Sequence, residues 1–359
     1  MINYSCENQC VVLGLSGGID SATSAWLLKK RGFKVVAVTF KLWEYRTRRN
    51  SEARTDKRAD AAKALCEKIG IEHHILDISE QFRVDVVECF LKEYALGRTP
   101  NPCVICNRVV KWKNLVDFAN KIGCYFVATG HYARVLPSPI HDFNLLRGAD
   151  TQKEQSYFLY RLDKNLLART IFPVGHLTKK QVYEISSTVG LPTIILRESQ
   201  ELCFLPERNL RRFLMDYIPE ATQPGPIFDT SGKRVGTHGG IAFYTVGQRE
   251  GLGGGFKQPM YVVKIIADEN TLIVGPKSEV YAREFAVDNL VLHRELKKFR
   301  ALVKVRYRHE GGMADVEIHG ERALVRFDSP QPAITPGQSA VFYDGMMVLG
   351  GGIIKEVMA

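Results

Sequence analysis

The sequence predicts an α/β protein built on a parallel sheet, followed by a small central domain and a β-barrel toward its C-terminal end. Over the first two hundred residues, short apolar runs alternate with amphipathic stretches of helical period, the order expected of parallel strands joined by crossover helices. One apolar run stops at SGGIDS, residues 16–21, a glycine-rich turn that leads into a helix. After Pro206 glycine and proline punctuate the chain every few residues, and the segments between them are short and strand-like.

Strands are expected at residues 11–15, 34–40, 73–78 and 125–129, and helices at 22–31, 57–69, 82–96 and 110–122. Gly32, Gly70, Gly97 and Gly123 fall where such helices would end, as C-terminal caps do. The charged stretch TRRNSEARTDKR at 47–58 has few apolar anchors and reads as a mobile loop or the approach to a helix. Beyond Pro206 come a short helical patch, NLRRFLMDYI, and two turn-rich stretches, TQPGPIFDTSGKRVGTHGG and YTVGQREGLGGG. From Asp288 onward LVKVRYRH, ADVEIHG, RALVRFD and SAVFYDG read as four strands separated by turn signals, the pattern of a small barrel or sandwich. Boundaries near 210 and 285 divide the chain into 1–210, 211–284 and 285–359.

A chain of 359 residues has room for two or three domains, each with a core of its own. With 45% hydrophobic and 25% charged residues the composition is that of an ordinary globular protein. No apolar run approaches bilayer-spanning length, and MINYSCENQC lacks the basic and apolar parts of a signal peptide, so the expectation is a cytoplasmic protein without a membrane partner. In a reducing compartment eight cysteines are not expected to form a disulfide framework, which leaves closely spaced ones for catalysis or metal binding. A net charge of +10 favours a polyanionic partner, nucleic acid above all.

The run Gly14, Leu15, Ser16, Gly17, Gly18, Ile19, Asp20 and Ser21 reads as a pyrophosphate cradle. Its glycines let the backbone turn tightly and bring N–H groups to an anion, its serines add hydroxyls, and the next helix adds a positive N-terminus. Asp20 is the carboxylate that would position magnesium and nucleotide. The spacing is neither a Walker A loop nor a GxGxxG fingerprint. It resembles the PP-loop of ATP pyrophosphatases, of adenine nucleotide alpha hydrolase-like fold, which adenylate an oxygen and release pyrophosphate. ATGHYA at 128–133 falls at the end of another expected strand and would face the same crevice.

The second chemical feature is TPNPCVICNRVVKW at 99–112, where two prolines flanking an asparagine favour a rigid, extended turn before a helical run. That turn presents Cys103 and Cys106, whose thiols the helix dipole and nearby Arg108 and Lys111 would make easier to ionise. Cys203, in SQELCFLP, lies just before the expected boundary, a placement that suits a swinging loop. Cys66, Cys89 and Cys124 read as buried small hydrophobes, and Cys6 and Cys10 are given no role. Taken singly, His131 reads as a structural histidine, Tyr307 as a strand core residue, and Arg306 with Arg308 as a solvated strand face.

Taken together, SGGIDS, TPNPxxxCN, ATGHYA, KEQSYFL, ELCFLP, YTVGQRxGL, KVRYRH and TPGQSAVFY occur in an order and spacing that resembles the bacterial tRNA-specific 2-thiouridylases across essentially the whole chain. The resemblance implies ATP-dependent thiolation of the wobble uridine in tRNAs for lysine, glutamate and glutamine, with adenylation turning the C2 oxygen into a leaving group. It implies that Gly14 to Ser21, Phe40 and Gly130 bind ATP and that Asn101, Pro102 and Cys103 meet the target base. His131, Lys153, Glu154, Gln155, Arg306, Tyr307 and Gln338 correspond to the tRNA contacts. Cys203 would carry a persulfide received from a cysteine desulfurase or sulfur-relay carrier, and Cys106 would attack to release the sulfur, the pair ending as a disulfide that needs reduction. The family usually has aspartate where this chain has Cys103, which leaves open a [4Fe–4S] cluster on Cys103, Cys106 and Cys203, or zinc with a fourth ligand. Outside this family, another PP-loop synthetase would not need the thiols, and an RNA-binding or iron–sulfur regulatory protein would not need the nucleotide cradle.

Overall fold

A computed structural model of the chain describes residues 9–45, 54–138, 142–191, 202–205, 209–253, 256 and 258–358. The chain divides into two compact units, one made of Met1–Val86, Cys103–Arg208 and Met346–Val348, the other of Val87–Pro102, Asn209–Gly345 and Leu349–Ala359.

The first unit opens with the expected alternation: β1 (Cys10–Gly14), α1 (Ile19–Lys30), β2 (Lys34–Lys41), α2 (Arg54–Ile69) and β3 (Glu72–Asp77). Val11, Val12 and Leu13 of β1 are wholly buried, and Ala22, Ala25 and Leu28 of α1 pack in one core with Val11 and Leu13 and with Ala62, Leu65 and Cys66 of α2. The spacing of those buried residues is the i, i+3, i+4 stripe of a helix laid on a sheet, and the alanines let the helices approach closely. Residues 47–53 of the charged stretch lie outside the described residues, and the rest of that stretch belongs to α2.

The next helices are interrupted by π-helical turns. α3 (Ser79–Phe82) runs through a π turn at Arg83–Glu88 into α4 (Cys89–Ala95), and α5 (Pro102–Ile105) runs through Cys106–Trp112 into α6 (Lys113–Lys121). The expected extended turn is therefore shorter than the prolines imply. Pro102 opens α5, because its fixed φ suits a first helical turn whose N–H needs no partner. Cys103 and Cys106 thus stand on the helix itself.

Then come β4 (Phe126–Thr129), a hairpin of β5 (Ala133–Ser138) and β6 (Asp142–Arg147), α7 (Lys164–Ala168), β7 (Thr170–Ile171) and α8 (Lys179–Val189). β3-β2-β1-β4-β7 form a five-stranded sheet in which every pairing is parallel, with Leu13 of β1 opposite both Ala37 and Ala128. α8, absent from the sequence-based expectation, is bounded by a capping box between Thr178 and Gln181 and by Gly190 in the left-handed region at φ 63°.

The cysteines correct two expectations. β1 and β4 are adjacent and in register from Val11 and Phe126, which brings Cys10 beside Cys124, and the two form a disulfide with Cα atoms 5.0 Å apart. Cys66 is buried as expected, but Cys89 is exposed at the start of α4. Cys6 lies outside the described residues.

In the second unit α9 (Leu210–Tyr217) precedes β8 (Gly225–Asp229), β9 (Arg234–His238), β10 (Tyr261–Ile266) and β11 (Thr271–Gly275), a mixed sheet in the order β10-β11-β8-β9. β12 (Tyr281–Leu292), β13 (Lys298–Lys304), β14 (Gly312–His319), β15 (Arg322–Pro332), β16 (Ser339–Asp344) and β17 (Met347–Met358) follow in the order β12-β15-β14-β13-β16-β17. Pairing of β12 with β17 closes them into a barrel, so the sandwich alternative falls away. Two of its strands escaped the sequence pattern: β12 is broken by a bulge around Asn289, held at φ 53°, and β17 carries three successive glycines. β13 ends at Lys304, so Arg306, Tyr307 and Arg308 lie in the following turn and not on a strand face or in a strand core. Among the described residues no helix is long and apolar enough to cross a membrane.

Candidate active site

The nucleotide cradle is built from backbone. Gly17 sits at φ 75°, and a Cβ there would stand 2.7 Å from the carbonyl oxygen of Arg58 on α2. Gly18 precedes α1 in an extended conformation and brings no capping side chain, which leaves the first turn of α1 open to an anion. Ser21 Oγ accepts from the Ser16 amide at 3.2 Å, lies 3.1 Å from Ser16 Oγ and donates to the Gly18 carbonyl at 2.9 Å, so the two hydroxyls brace the turn. Gly130, just beyond β4, docks against this helix start, where a Cβ would lie 2.8 Å from the Ser21 nitrogen. Leu15 donates to the Val38 carbonyl at 2.8 Å and accepts from Thr39 Oγ1 at 2.9 Å, tying the loop to the end of β2 that carries Phe40. Gly14 lies where a Cβ would meet Leu115 at 3.5 Å.

Asp20 is more heavily engaged than its sequence context shows. Its two carboxylate oxygens lie 2.7 and 2.8 Å from Nζ of Lys179, the first residue of α8, and Tyr132 donates its hydroxyl to Oδ1 at 2.7 Å. The Lys179 side chain is 13% exposed and that of Asp20 33%, so the pair is shielded enough that deleting one member strands the other. Asp20 and the Ser16 and Ser21 hydroxyls are the hard oxygen donors that suit magnesium, and a cation at Asp20 would displace the Lys179 ammonium.

The thiols gather around Lys111. Cys103, Cys106 and Cys203 all lie within electrostatic reach of this lysine, and Cys103 and Cys106 each feel the charge of Cys203. Cys103 is exposed, Cys203 is partly buried and Cys106 is buried. The expected easing of ionisation is reversed. Burial pushes Cys106 up to about 12 and Cys103 up to about 11, and raises Cys203, in each case outweighing the pull of Lys111. Arg108, expected to assist, instead pairs with Asp163 at 2.9 Å. Lys111 is itself half-buried; desolvation works against its charge, but the three sulfurs in their ionised form favour it and its pKa is raised.

His131 follows Gly130, hydrogen-bonds through Nδ1 with Thr129 Oγ1 at 2.8 Å and lies against Trp112 and Phe172. Desolvation, with Lys111 adding to it, pushes His131 down to about 3, so the ring is neutral. Cys203 is held here through its neighbour. Its neighbour Phe204 is buried against Phe82, with ring centroids 5.9 Å apart, and its carbonyl accepts from the Tyr45 amide at 2.9 Å. Among the described residues no three His, Cys, Asp or Glu side chains converge closely enough to hold a metal ion. As placed, the three thiols therefore do not fit a cluster or zinc.

Of the remaining expected residues, Asn101 leads into Pro102 and α5. Gln155 is clamped to Tyr132: the Gln155 amide donates to the Tyr132 carbonyl at 2.9 Å, and its Oε1 accepts from the Tyr132 amide at 2.9 Å. Glu154 is buried and accepts from the Ser156 amide, and the Lys153 amide donates to Asp150 Oδ1 at 3.1 Å. In the second unit Arg306 Nη1 donates to the Pro332 and Ala333 carbonyls at 3.3 and 3.4 Å, Lys304 lies 5.8 Å from the Tyr307 ring, and Gln338 Nε2 donates to the Thr99 carbonyl at 2.7 Å. Sequence reasoning missed Lys179, Tyr132 and Arg58 as parts of the site. Only the Thr-x-x-Gln signature before α8 could have pointed to the first of them.

Three family models cover the chain: a tRNA methyl transferase HUP domain matches residues 9–207, a tRNA methyl transferase PRC-barrel domain residues 211–276, and an aminomethyltransferase beta-barrel domain residues 282–354. A tRNA-specific 2-thiouridylase of Caldanaerobacter subterraneus is 40% identical over 97% of this chain and 98% of its own. That of Chloroflexus aggregans is 41% identical over 96% and 98%, and that of Lachnoclostridium phytofermentans 37% identical over 96% and 99%. A phosphate cradle and a set of thiols outside any disulfide around one lysine, in a chain similar to these relatives along nearly its whole length, place it in a known group: it belongs to the tRNA-specific 2-thiouridylase family.

Proposed function

We propose that this protein uses ATP to replace the C2 oxygen of the tRNA wobble uridine by sulfur, in the cytoplasm, on tRNAs for lysine, glutamate and glutamine. The observation that carries the reading is the presence, in one compact unit, of an open phosphate cradle at Gly14–Ser21 and free thiols at Cys106 and Cys203 arranged around Lys111. ATP would lie against Gly14 to Ser21, Phe40 and Gly130, with Mg2+ at Asp20. The uridine oxygen attacks the α-phosphorus, pyrophosphate leaves, and C2 becomes electrophilic. A persulfide on Cys203, loaded by a cysteine desulfurase or sulfur-relay carrier, supplies the nucleophile. Its outer sulfur bonds to C2 as the C2–O bond breaks and AMP departs with the electron pair. The Cys106 thiolate then attacks Cys203 Sγ, breaking the S–S bond to release 2-thiouridine and leaving a Cys106–Cys203 disulfide for an external thiol to reduce. The high resting pKa of Cys106 means that its proton must be taken up during this step, with Lys111 stabilising the thiolate.

Within this reading Asn101, Pro102 and Cys103 meet the base, and His131, Lys153, Glu154, Gln155, Arg306, Tyr307 and Gln338 the tRNA. The chain is divided functionally into a catalytic part at 1–210, a central part at 211–284 and a tRNA-binding barrel at 285–359. Nucleoside analysis of tRNA from cells lacking the protein tests the activity: wobble 2-thiouridine should disappear and return with wild type but not with Cys106→Ser or Cys203→Ser. Unchanged 2-thiouridine would overturn the reading. Stoichiometric iron and inorganic sulfide in active, anaerobically prepared protein would replace the persulfide route by a cluster.

A further inference from the structure

We propose that Arg58 is a phosphate-binding catalytic residue that grips the α-phosphate of the adenylated uridine between the Gly17 turn and Cys203. The proposal rests on the adenylation reading above and adds a residue to it. Two geometric observations carry it. The Arg58 carbonyl forms the wall on which Gly17 turns, so its backbone is fixed against the cradle. Its Nε is buried and has no hydrogen-bond partner among the described residues, and a charged donor so placed calls for an acceptor. The charge also reaches the thiol side, since Arg58 favours the ionised form of Cys203 and opposes the charge of Lys111. The residue therefore has its backbone against the phosphate cradle and its charge within electrostatic reach of Cys203 and Lys111.

That is the place the chemistry assigns to one group. In the adenylated intermediate the α-phosphate is bonded through oxygen to C2 on one side and to adenosine on the other. When sulfur bonds to C2 and the C2–O bond breaks, the electron pair passes to the phosphate oxygen and AMP gains a negative charge. A guanidinium fork at that oxygen stabilises charge that grows in the transition state. Lys111 offers only a point charge, and three sulfurs already surround it. A phosphate of the tRNA backbone would present the same chemistry, and separate measurements on nucleotide and tRNA distinguish the two sources.

The test uses full-length Arg58→Ala, Arg58→Gln and Arg58→Lys proteins with ATP and unmodified tRNA. Tightness of tRNA binding should stay within about twofold of wild type, while tRNA-dependent AMP formation should fall about 10²–10³-fold in the alanine and glutamine variants. The lysine variant should recover part of the rate, and added guanidinium ion should raise the rate of the alanine variant at least about tenfold, a recovery that a merely structural role would not give. AMP formation by Arg58→Gln at the wild-type rate overturns the proposal. So does a loss confined to tRNA affinity, which would assign Arg58 to the tRNA backbone, and so does a lowered melting temperature without guanidinium rescue. If wild type itself forms no AMP or pyrophosphate with tRNA, the adenylation reading fails first, and that failure is separately visible.

Discussion

Burial holds the Cys106 thiol protonated up to about 12 even with the Lys111 ammonium close by, so the resting enzyme keeps this nucleophile in reserve. Alkylation of the free protein at pH 8, read site by site by mass spectrometry, should be slower at Cys106 than in the unfolded chain, and the rate at Cys103 should rise toward an inflection near 11. Rapid labelling of Cys106 at neutral pH would contradict this. His131 runs the other way, pushed down to about 3 by desolvation and Lys111. A depressed folded-state value contributes stability that is fully present above the unfolded value and is lost as pH falls toward the folded one, here between about 6.5 and 3. Lowering the pH from 7.5 to 5 should therefore cost wild type about 1–2 kcal/mol in urea unfolding through this residue, and His131→Gln should abolish that part of the acid sensitivity. At this scale the sequence was readable where chemistry is rare. Paired glycines between serines and a CxxC before a helix have few other uses, whereas Lys179 is one lysine among many until folding carries it across 159 positions to Asp20.

Elements of strong period were equally readable. β1 to β4 and their helices follow from apolar runs and glycine stops: β1, β2 and β4 are buried along their length and read as continuous apolar runs, while β3, at the edge of the sheet and partly exposed, is marked by the glycine stop before it. The π turns at Arg83–Glu88 and Cys106–Trp112 were not readable, since they insert a residue without altering composition. β12 and β17 were hidden by a bulge and by glycines that the closing of a barrel demands. The junction of β4 with α1 makes a sharp prediction. Gly130→Ala places a methyl group 2.8 Å from the Ser21 nitrogen, so ATP affinity should drop at least about tenfold while tRNA affinity holds, as separate titrations would show. Thr178→Ala removes the cap of α8 and should lower stability by about 1 kcal/mol, loosening Lys179 from Asp20 as well. A truncation meant to remove the barrel should end before Tyr281, because a cut at Asp288 leaves half of β12 with neither of its partners.

For the whole molecule, a net charge of +10 implies an encounter with tRNA that salt weakens. Raising the salt from about 50 to about 200 mM should reduce tRNA affinity ~10-fold or more while changing ATP affinity less, and a flat response of tRNA binding would contradict a phosphate-dominated interface. β17 has a meaning in time as well as in space. Its opening residues belong to Met346–Val348 of the first unit, while the rest lies in the second, where Phe285 pairs with Val357 and Val287 with Ile354 to shut the barrel. Ribosomes deliver residues in order, so neither unit is complete until this strand has cleared the exit tunnel. A nascent chain arrested short of residue 346 already carries the nucleotide turn and all three thiols, yet presents to chaperones and proteases an open sheet with β12 unpaired along one edge.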